Sequence, residues 1–319
     1  MASQIFTKPL PYLALIIAHL IWGINFVVAK VTLQEFPPMS LALLRFALAS
    51  LFLAPFFFAQ TKKTMPAGRQ VKIDKKDLPS LIAIGVFIIT LNIAFFFEGI
   101  KRTSTIDASV LTLIIPILSV LIGWLYFKEK IYLINLAGIA VAFLGALIII
   151  GLPQLFTGTL SPQTLLGNVF IVLAGVSWVI GAVISKRMLK KYPSLIITAV
   201  AFMVGTVAML IPAGIEYVNN PSWPFQITIL GLLGLIYMTL LSSISAYFLF
   251  EWGLSKTNII AADLFQYIEP FVAAFLAVTI LGEQISTSFL TGALLIAVGV
   301  FLATLAKEAH HRHHKAHRV

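Results

Sequence analysis

Cysteine is missing altogether from the 319 residues, which excludes disulfides, thiolate zinc sites and cysteine nucleophiles. Charge is nearly as scarce, at 11% Asp, Glu, Lys and Arg against about 25% in soluble domains. Also missing are Gly-x-x-x-x-Gly-Lys, Gly-x-Ser-x-Gly and His-Glu-x-x-His, and no loop is long enough to hold a nucleotide domain. Primary pumping by ATP and the hydrolase chemistries of those motifs are therefore excluded, and no catalytic residues are assigned. The chain is instead 60% hydrophobic, with 25 Phe. It could not cover itself with polar groups in water, so its medium is lipid.

A helix needs about 20 apolar residues to cross the hydrocarbon layer. Runs of that kind predict an all-α membrane protein with ten transmembrane helices, near 10–30, 38–59, 79–99, 105–127, 131–151, 164–186, 195–216, 228–251, 259–281 and 287–306. The first run follows Lys8, as in a signal peptide, but is too long and has Trp22, Asn25 and Lys30 where small cleavage-site residues belong, so it is read as a retained helix. Lys and Arg fall eighteen on one side of the expected membrane and three on the other, with Arg45 inside a span. That bias puts both termini in the cytoplasm. The interior segment 60–78 is read as a polar hairpin connector.

The chain is also duplicated. A shift of 156 residues lays Leu20-Ile21-Trp22 through Lys30 on Val176-Ser177-Trp178 through Lys186, and Phe36-Pro37 on Tyr192-Pro193. A shift of 154 lays Gly99, Thr103, Pro116, Glu129, Gly138 and Gly145 on Gly253, Thr257, Pro270, Glu283, Gly292 and Gly299. Units of five spans enter the membrane from opposite sides, so two inverted five-helix repeats are expected, 1–151 and 152–306, with a basic His-rich tail at 307–319. In such folds the site lies at the midplane between the halves.

Trp22-Gly23-Ile24-Asn25-Phe26, the five-plus-five repeat, and Pro116…Glu129 echoed by Pro270…Glu283 resemble the EamA family of the drug/metabolite transporter superfamily, over about residues 10–306. The resemblance implies a ten-helix carrier, usually of a bacterial inner membrane and often an exporter of amino acids or related metabolites. The second copy departs from the first: Val179 and Gly181 stand where Gly23 and Asn25 do.

An ionisable group at the bilayer centre costs about 2.5–3.5 kcal/mol or more, so each one needs a reason. Glu269 lies mid-span directly before Pro270, with Gln266 and Tyr267 in the preceding turn, and its repeat mate is Ile115. It reads as a substrate-ammonium or proton-coupling carboxylate, against a protonated interhelical hydrogen bond. His19, whose mate is Gly175, shares a helical face with Trp22 and Phe26; gating and a plain buried histidine are the two readings. Asn25 would bind substrate or bridge helices. Arg45, flanked by Ala42 and Ala49, would attract a substrate carboxylate or snorkel to lipid phosphate. Asn92, Ser242, Ser243, Ser245 and Tyr247 add polarity, and Trp178, Tyr237 and Tyr267 aromatic walls. Of these, Asn92, Trp178, Tyr237, Ser242, Ser245, Gln266 and Tyr267 join His19, Trp22, Asn25, Arg45 and Glu269 as candidate substrate ligands. Pro116 and Pro270 mark paired helix breaks, which point to a site and to moving half-helices.

The remaining charges have simpler readings. Ser104-x-x-Asp107 fits a capping box, Glu98 a helix-end pair with Lys101 and Arg102, and Glu251 with Lys256 the mirrored end. Glu35, Glu216, Glu129 and Glu283 are boundary residues, and Asp263 an inner-vestibule candidate. Small-residue faces at Gly138, Ala142, Gly145 and Ala146, and at Gly292, Ala293, Ala297 and Gly299, suit close packing of the fifth and tenth spans. The tail His310-His311-Arg312-His313-His314-Lys315-Ala316-His317-Arg318 is expected to be disordered and to lie near anionic lipid, not to form a metal site. No cofactor is expected. The expected function is a secondary carrier of a small organic metabolite, an amino acid by this reading, working as an exporter; the alternatives are a flippase-like lipid handler or a carrier of nucleobases or sugar phosphates. Its partners would be substrate and bilayer, without nucleic acid or ATP, as a monomer or else a dimer.

Overall fold

The computed structural model describes residues 9–62, 73–127, 133–150, 161–257, 262 and 265–316. Among these the chain is helical throughout: α1 (Pro9–Thr32), α2 (Pro38–Lys62), α3 (Lys75–Arg102), α4 in two pieces (Thr105–Leu111 and Ile114–Phe127), α5 (Leu133–Ile150), α6 (Pro162–Met188), α7 (Ser194–Asn219), α8 (Ile229–Lys256), α9 (Phe265–Leu281) and α10 (Thr287–Ala316). Six of them, α1, α2, α3, α6, α7 and α8, are long and apolar enough to cross a membrane; α4, α5, α9 and α10 contribute shorter apolar stretches. Most of the 60–78 connector, Glu129 and Asp263 lie outside the described residues.

Helix starts follow local chemistry. Proline opens α1, α2 and α6, where its missing N–H has no partner to lose. The expected capping box forms in part: Ser104 Oγ accepts from Asp107 N–H at 2.9 Å. The far end of α10 departs from expectation. Nothing from Val300 to Val319 is Gly or Pro, and the helix carries on through Ala316 instead of yielding to a disordered tail at 307.

Polarity is distributed for lipid. Leu51, Ile211 and Phe271 are exposed, while His19, Asn25, Arg45, Glu251 and Glu269 are buried. Helix ends are closed by side chains from distant helices. Glu216 accepts from Met39 N–H, Ser40 N–H and Ser40 Oγ at the start of α2, at 3.0, 2.7 and 2.8 Å. Glu283 does the same for Thr105 and Ile106 N–H at the start of α4, at 2.9 and 3.1 Å. Carboxylates suit the positive end of a helix and ammonium groups the negative end. Accordingly Lys30 Nζ donates to Ile100 O (2.7 Å) and Thr103 O (2.5 Å) at the close of α3, and Lys186 Nζ donates to Leu254 O and Thr257 O at the close of α8. Those two clasps occupy repeat-matched positions.

The turns α1–α2 and α6–α7 behave alike. Glu35 accepts from Thr228 N–H and Oγ1, both at 2.7 Å, at the start of α8. At the matched position, Lys191 Nζ donates to Asp77 Oδ1 (2.7 Å) and Tyr192 OH to Asp77 Oδ2 (2.8 Å) at the start of α3. Asp74, which caps that turn, is held below the usual carboxylate range by its hydrogen bond to Lys76.

The small-residue faces of α5 and α10 meet each other. A methyl added to Gly145 would sit 2.6 Å from Gly292 O, and one added to Gly299 would sit 2.5 Å from Gly138 O, so the backbones touch directly. Glu98 pairs with Arg102 as expected. Glu251 does not form the expected pair with Lys256. Positions 247, 251 and 254 share an inward face of α8, and Glu251 is buried, accepting from Ser185 Oγ at 2.7 Å.

Candidate substrate-binding site

Two breaks and three wide turns shape the middle of the molecule. Helix α4 is interrupted at Thr112–Leu113, and α9 opens as a 3-10 turn, Phe265–Tyr267, before becoming α-helical at Ile268. Pro116 and Pro270 each stand third in the resumed helix. They follow the breaks, in the first turn where a proline removes no intrahelical bond. The breaks touch: Gln266 Nε2 donates to Thr112 O at 3.2 Å, and these two residues are repeat mates. π-helical turns occupy Gly85–Leu91 in α3, Met238–Ser245 in α8 and Ala277–Leu281 in α9. Such turns often mark functional positions, because they leave the backbone ladder widened.

Helix α1 crosses α9 at Gly23. A methyl there would lie 2.8 Å from Val272 Cβ and 3.2 Å from the Glu269 Cα. This approach brings His19 Nδ1 to 2.6 Å from Glu269 Oε1, both residues being buried. One proton lies between the imidazole nitrogen and the carboxyl oxygen, shared by the pair away from water. His19 Nε2 has no hydrogen-bond partner among the described residues. At the repeat-matched crossing of α6 and α4 there is no polar pair: a methyl on Gly175 would meet Ile115 at 3.2 Å.

A connected path leads from this pair to Arg45. The His19 and Trp22 rings are edge to face at 5.4 Å. Trp22 Nε1 donates to Ser242 O at 3.1 Å. Arg45 Nη2 donates to Ser242 Oγ at 2.9 Å and Arg45 Nε to Ser243 Oγ at 2.6 Å. Arg45 is 1% exposed, so it faces inward and does not snorkel. Its Nη1 has no partner among the described residues. A buried guanidinium held by two neutral hydroxyls keeps hydrogen-bond donors to spare. Between the two charged groups stands an aromatic wall: Trp22 lies 5.3 Å from both Trp178 and Tyr247, and 5.5 Å from Phe250.

The other expected ligands divide. Among the described residues, the Oδ1 of buried Asn25 and the hydroxyl of Tyr267 have no partner. Asn92 is committed to helix packing, Nδ2 donating to Ala174 O at 2.8 Å. Tyr237 OH donates to Ile21 O at 2.8 Å, tying α8 to α1. Ser245 Oγ donates to Leu240 O of its own helix at 2.9 Å; the residue that serves Arg45 is Ser243. Ser242, Ser243 and Ser245 all lie within the π turn of α8, which presents the first two to Arg45 and turns the third back onto its own helix. Tyr247 and Phe250 complete the wall, and nothing in their spacing distinguished them from ordinary packing residues. Among the described residues, no group of three His, Cys, Asp or Glu is placed to hold a metal ion.

A groove of about 560 Å³ runs beside the site between α1 and α9, lined by Ile24, Val27, Val28, Phe271, Val272, Phe275, Leu276 and Ile280. Its lining is entirely apolar, and Phe271 and Phe275 are exposed, so it is a lipid-facing surface rather than the polar site.

Comparison with known proteins agrees with this architecture. An uncharacterized transporter of Archaeoglobus fulgidus is 28% identical over 296 residues, 92% of this chain and 96% of the relative. A probable amino-acid metabolite efflux pump of Escherichia coli is 28% identical over 305 residues, 91% of this chain and 93% of the relative. A known crystal structure, 18% identical, superposes with a TM-score of 0.62 over 93% of this chain and 97% of that one; it bears on the fold alone. The EamA-like transporter family matches twice, over residues 9–151 and 165–305. This multi-pass membrane protein belongs to the EamA-like transporter family.

Proposed function

We propose that the chain is a secondary carrier that exports an amino acid by alternating access. The observation that carries this is the buried Arg45, whose Nη1 is unpartnered among the described residues, across an aromatic wall from the His19–Glu269 pair. An amino acid presents the complement: its carboxylate suits Arg45, its ammonium suits Glu269, and an apolar or aromatic side chain suits Trp22, Trp178 and Tyr247. When ammonium replaces His19 as the partner of Glu269, the proton held in the pair is free to move, so coupling and gating belong to His19 and Glu269. The relatives named as efflux pumps support the direction.

The architecture in this reading is ten spans in two inverted five-helix units, with the breaks of α4 and α9 meeting at the centre and moving as half-helices. The matched clasps of Lys30 and Lys186, and the matched turns at Glu35 and Lys191, support that symmetry. The charge bias places both ends in the cytoplasm, and the membrane is a bacterial inner membrane. Neither enzymatic activity nor ATP is part of the reading.

The test is a thermal-stability screen of the purified protein against the twenty amino acids, followed by export assays. A ligand at 100 times its Kd raises stability by about 2.7 kcal/mol. Glu269→Gln should abolish that stabilisation and reduce export at least tenfold. Unchanged export of every substrate accepted would remove Glu269 from the site. The apolar groove between α1 and α9 is the one observation favouring a lipid handler instead, and stabilisation by phospholipids alone would support that alternative.

A further inference from the structure

Glu251 is a carboxyl buried in α8, and the substrate reading makes no use of it. It is 3% exposed, and Ser185, which donates to its Oε2 at 2.7 Å, is 0% exposed. Its ionisable neighbours are Lys186 from α6 and Tyr247 from its own helix, one turn back. Lys186 is spent on Leu254 O and Thr257 O. Leu15 of α1 packs on Gly253, two residues further along α8. Glu251 therefore has a hydroxyl for a partner and no ion pair among the described residues.

The fold does not need this pair. By the same shifts of 154 and 156, Glu251 and Ser185 correspond to Phe97 and Ala29, both buried and apolar. Position also matters. Glu251 lies directly beyond Tyr247 and Phe250, the aromatic wall, on the side where α6 and α8 end. Burying a bare carboxylate costs several kcal/mol, whereas a carboxylic acid with a hydrogen bond is tolerated.

We propose that Glu251, held by Ser185, is a proton-binding site that must be loaded before the α6–α8 end of the carrier can close. With that end open, the carboxylate takes a proton from water and becomes a neutral acid. Closure then buries the acid against Ser185, and the next opening returns the proton to water. The charge bias puts this end in the cytoplasm, so export would respond to cytoplasmic pH. This rests on the alternating-access reading, but the carboxyl itself can be tested without any substrate.

Infrared difference spectra of the purified full-length protein, taken between about pH 5 and pH 9, should show a titrating carboxylic C=O band. Glu251→Gln should remove it, and Ser185→Ala should shift it to higher frequency by removing the hydrogen bond. Identical spectra for wild type and Glu251→Gln would overturn the proposal. In proteoliposomes, wild-type exchange of L-phenylalanine should rise severalfold as the pH on the α6–α8 side falls. Glu251→Gln, permanently neutral, should exchange at the wild-type acid rate at every pH. A pH effect that survives Glu251→Gln, or is missing from wild type, also overturns it. If wild type exchanges no amino acid at all, the substrate reading fails while the infrared result still decides the proton site.

Discussion

Whether the His19–Glu269 contact serves the fold or the function can be decided with residues the molecule already contains. The second crossing of the same kind uses Gly175 against Ile115. The double substitution His19→Gly with Glu269→Ile would rebuild that apolar crossing. Glu269→Ile alone strands a buried histidine, and losing one partner of a buried pair costs about 3–5 kcal/mol. The double variant should recover part of that loss, visible as a higher Tm than the single variant, and should still not transport. If it transports, the pair is structural. Arg45 gives a second residue-scale prediction. Lys keeps the charge but not the planar fork that reaches Ser242 and Ser243 while leaving Nη1 free. Arg45→Lys should stay folded and lose export at least tenfold. That these charges need a purpose was legible from hydropathy alone, because charge is scarce and costly in lipid. That Arg45 faces Ser242 and Ser243 was not, since those partners are 197 and 198 residues away.

At the scale of the helix, the site depends on how closely α1 and α9 cross. Gly23→Ala would place a methyl 2.8 Å from Val272 Cβ and 3.2 Å from the Glu269 backbone. The helices must separate, drawing His19 from Glu269, so export should fall severalfold and Tm should drop. The control is Gly214→Ala in α7, where a methyl meets nothing within 4 Å; it should leave export intact and add about 0.5–1 kcal/mol through helix propensity. Equal effects at both positions would mean that helix propensity, not the crossing, is responsible. Proline announced the broken helices, and the break lies just before each one because proline fits the first turn of a helix and not its interior. The π turns had no such marker, so spacing alone could not tell which of Ser242, Ser243 and Ser245 reaches Arg45.

For the whole molecule, the question is what holds each end shut. In the alternating-access reading, Glu35 on Thr228 would latch one end and Lys191 with Tyr192 on Asp77 the other. With no native cysteine, single cysteines can report access without background. Asp77→Asn should weaken its latch and raise the labelling rate of Ala182→Cys, buried in α6, severalfold. Glu35→Gln should raise that of Ala29→Cys, buried in α1, instead. If both latch variants expose both cysteines equally, the two ends do not open in alternation.

Composition alone made this a lipid-embedded helical protein, since 60% apolar and 11% charged residues have no stable arrangement in water. Internal similarity made it a duplicated unit, because Trp, Pro, Gly and Glu recurring in order do not depend on any contact. Both are properties of the chain read locally or against itself. Tertiary structure decided which scarce charges face each other: His19 with Glu269, Arg45 with two serines, Glu251 with Ser185 rather than Lys256. Pairing across helices depends on crossing points and on turns that shift the register of a face, and neither is written in the hydropathy of a single helix.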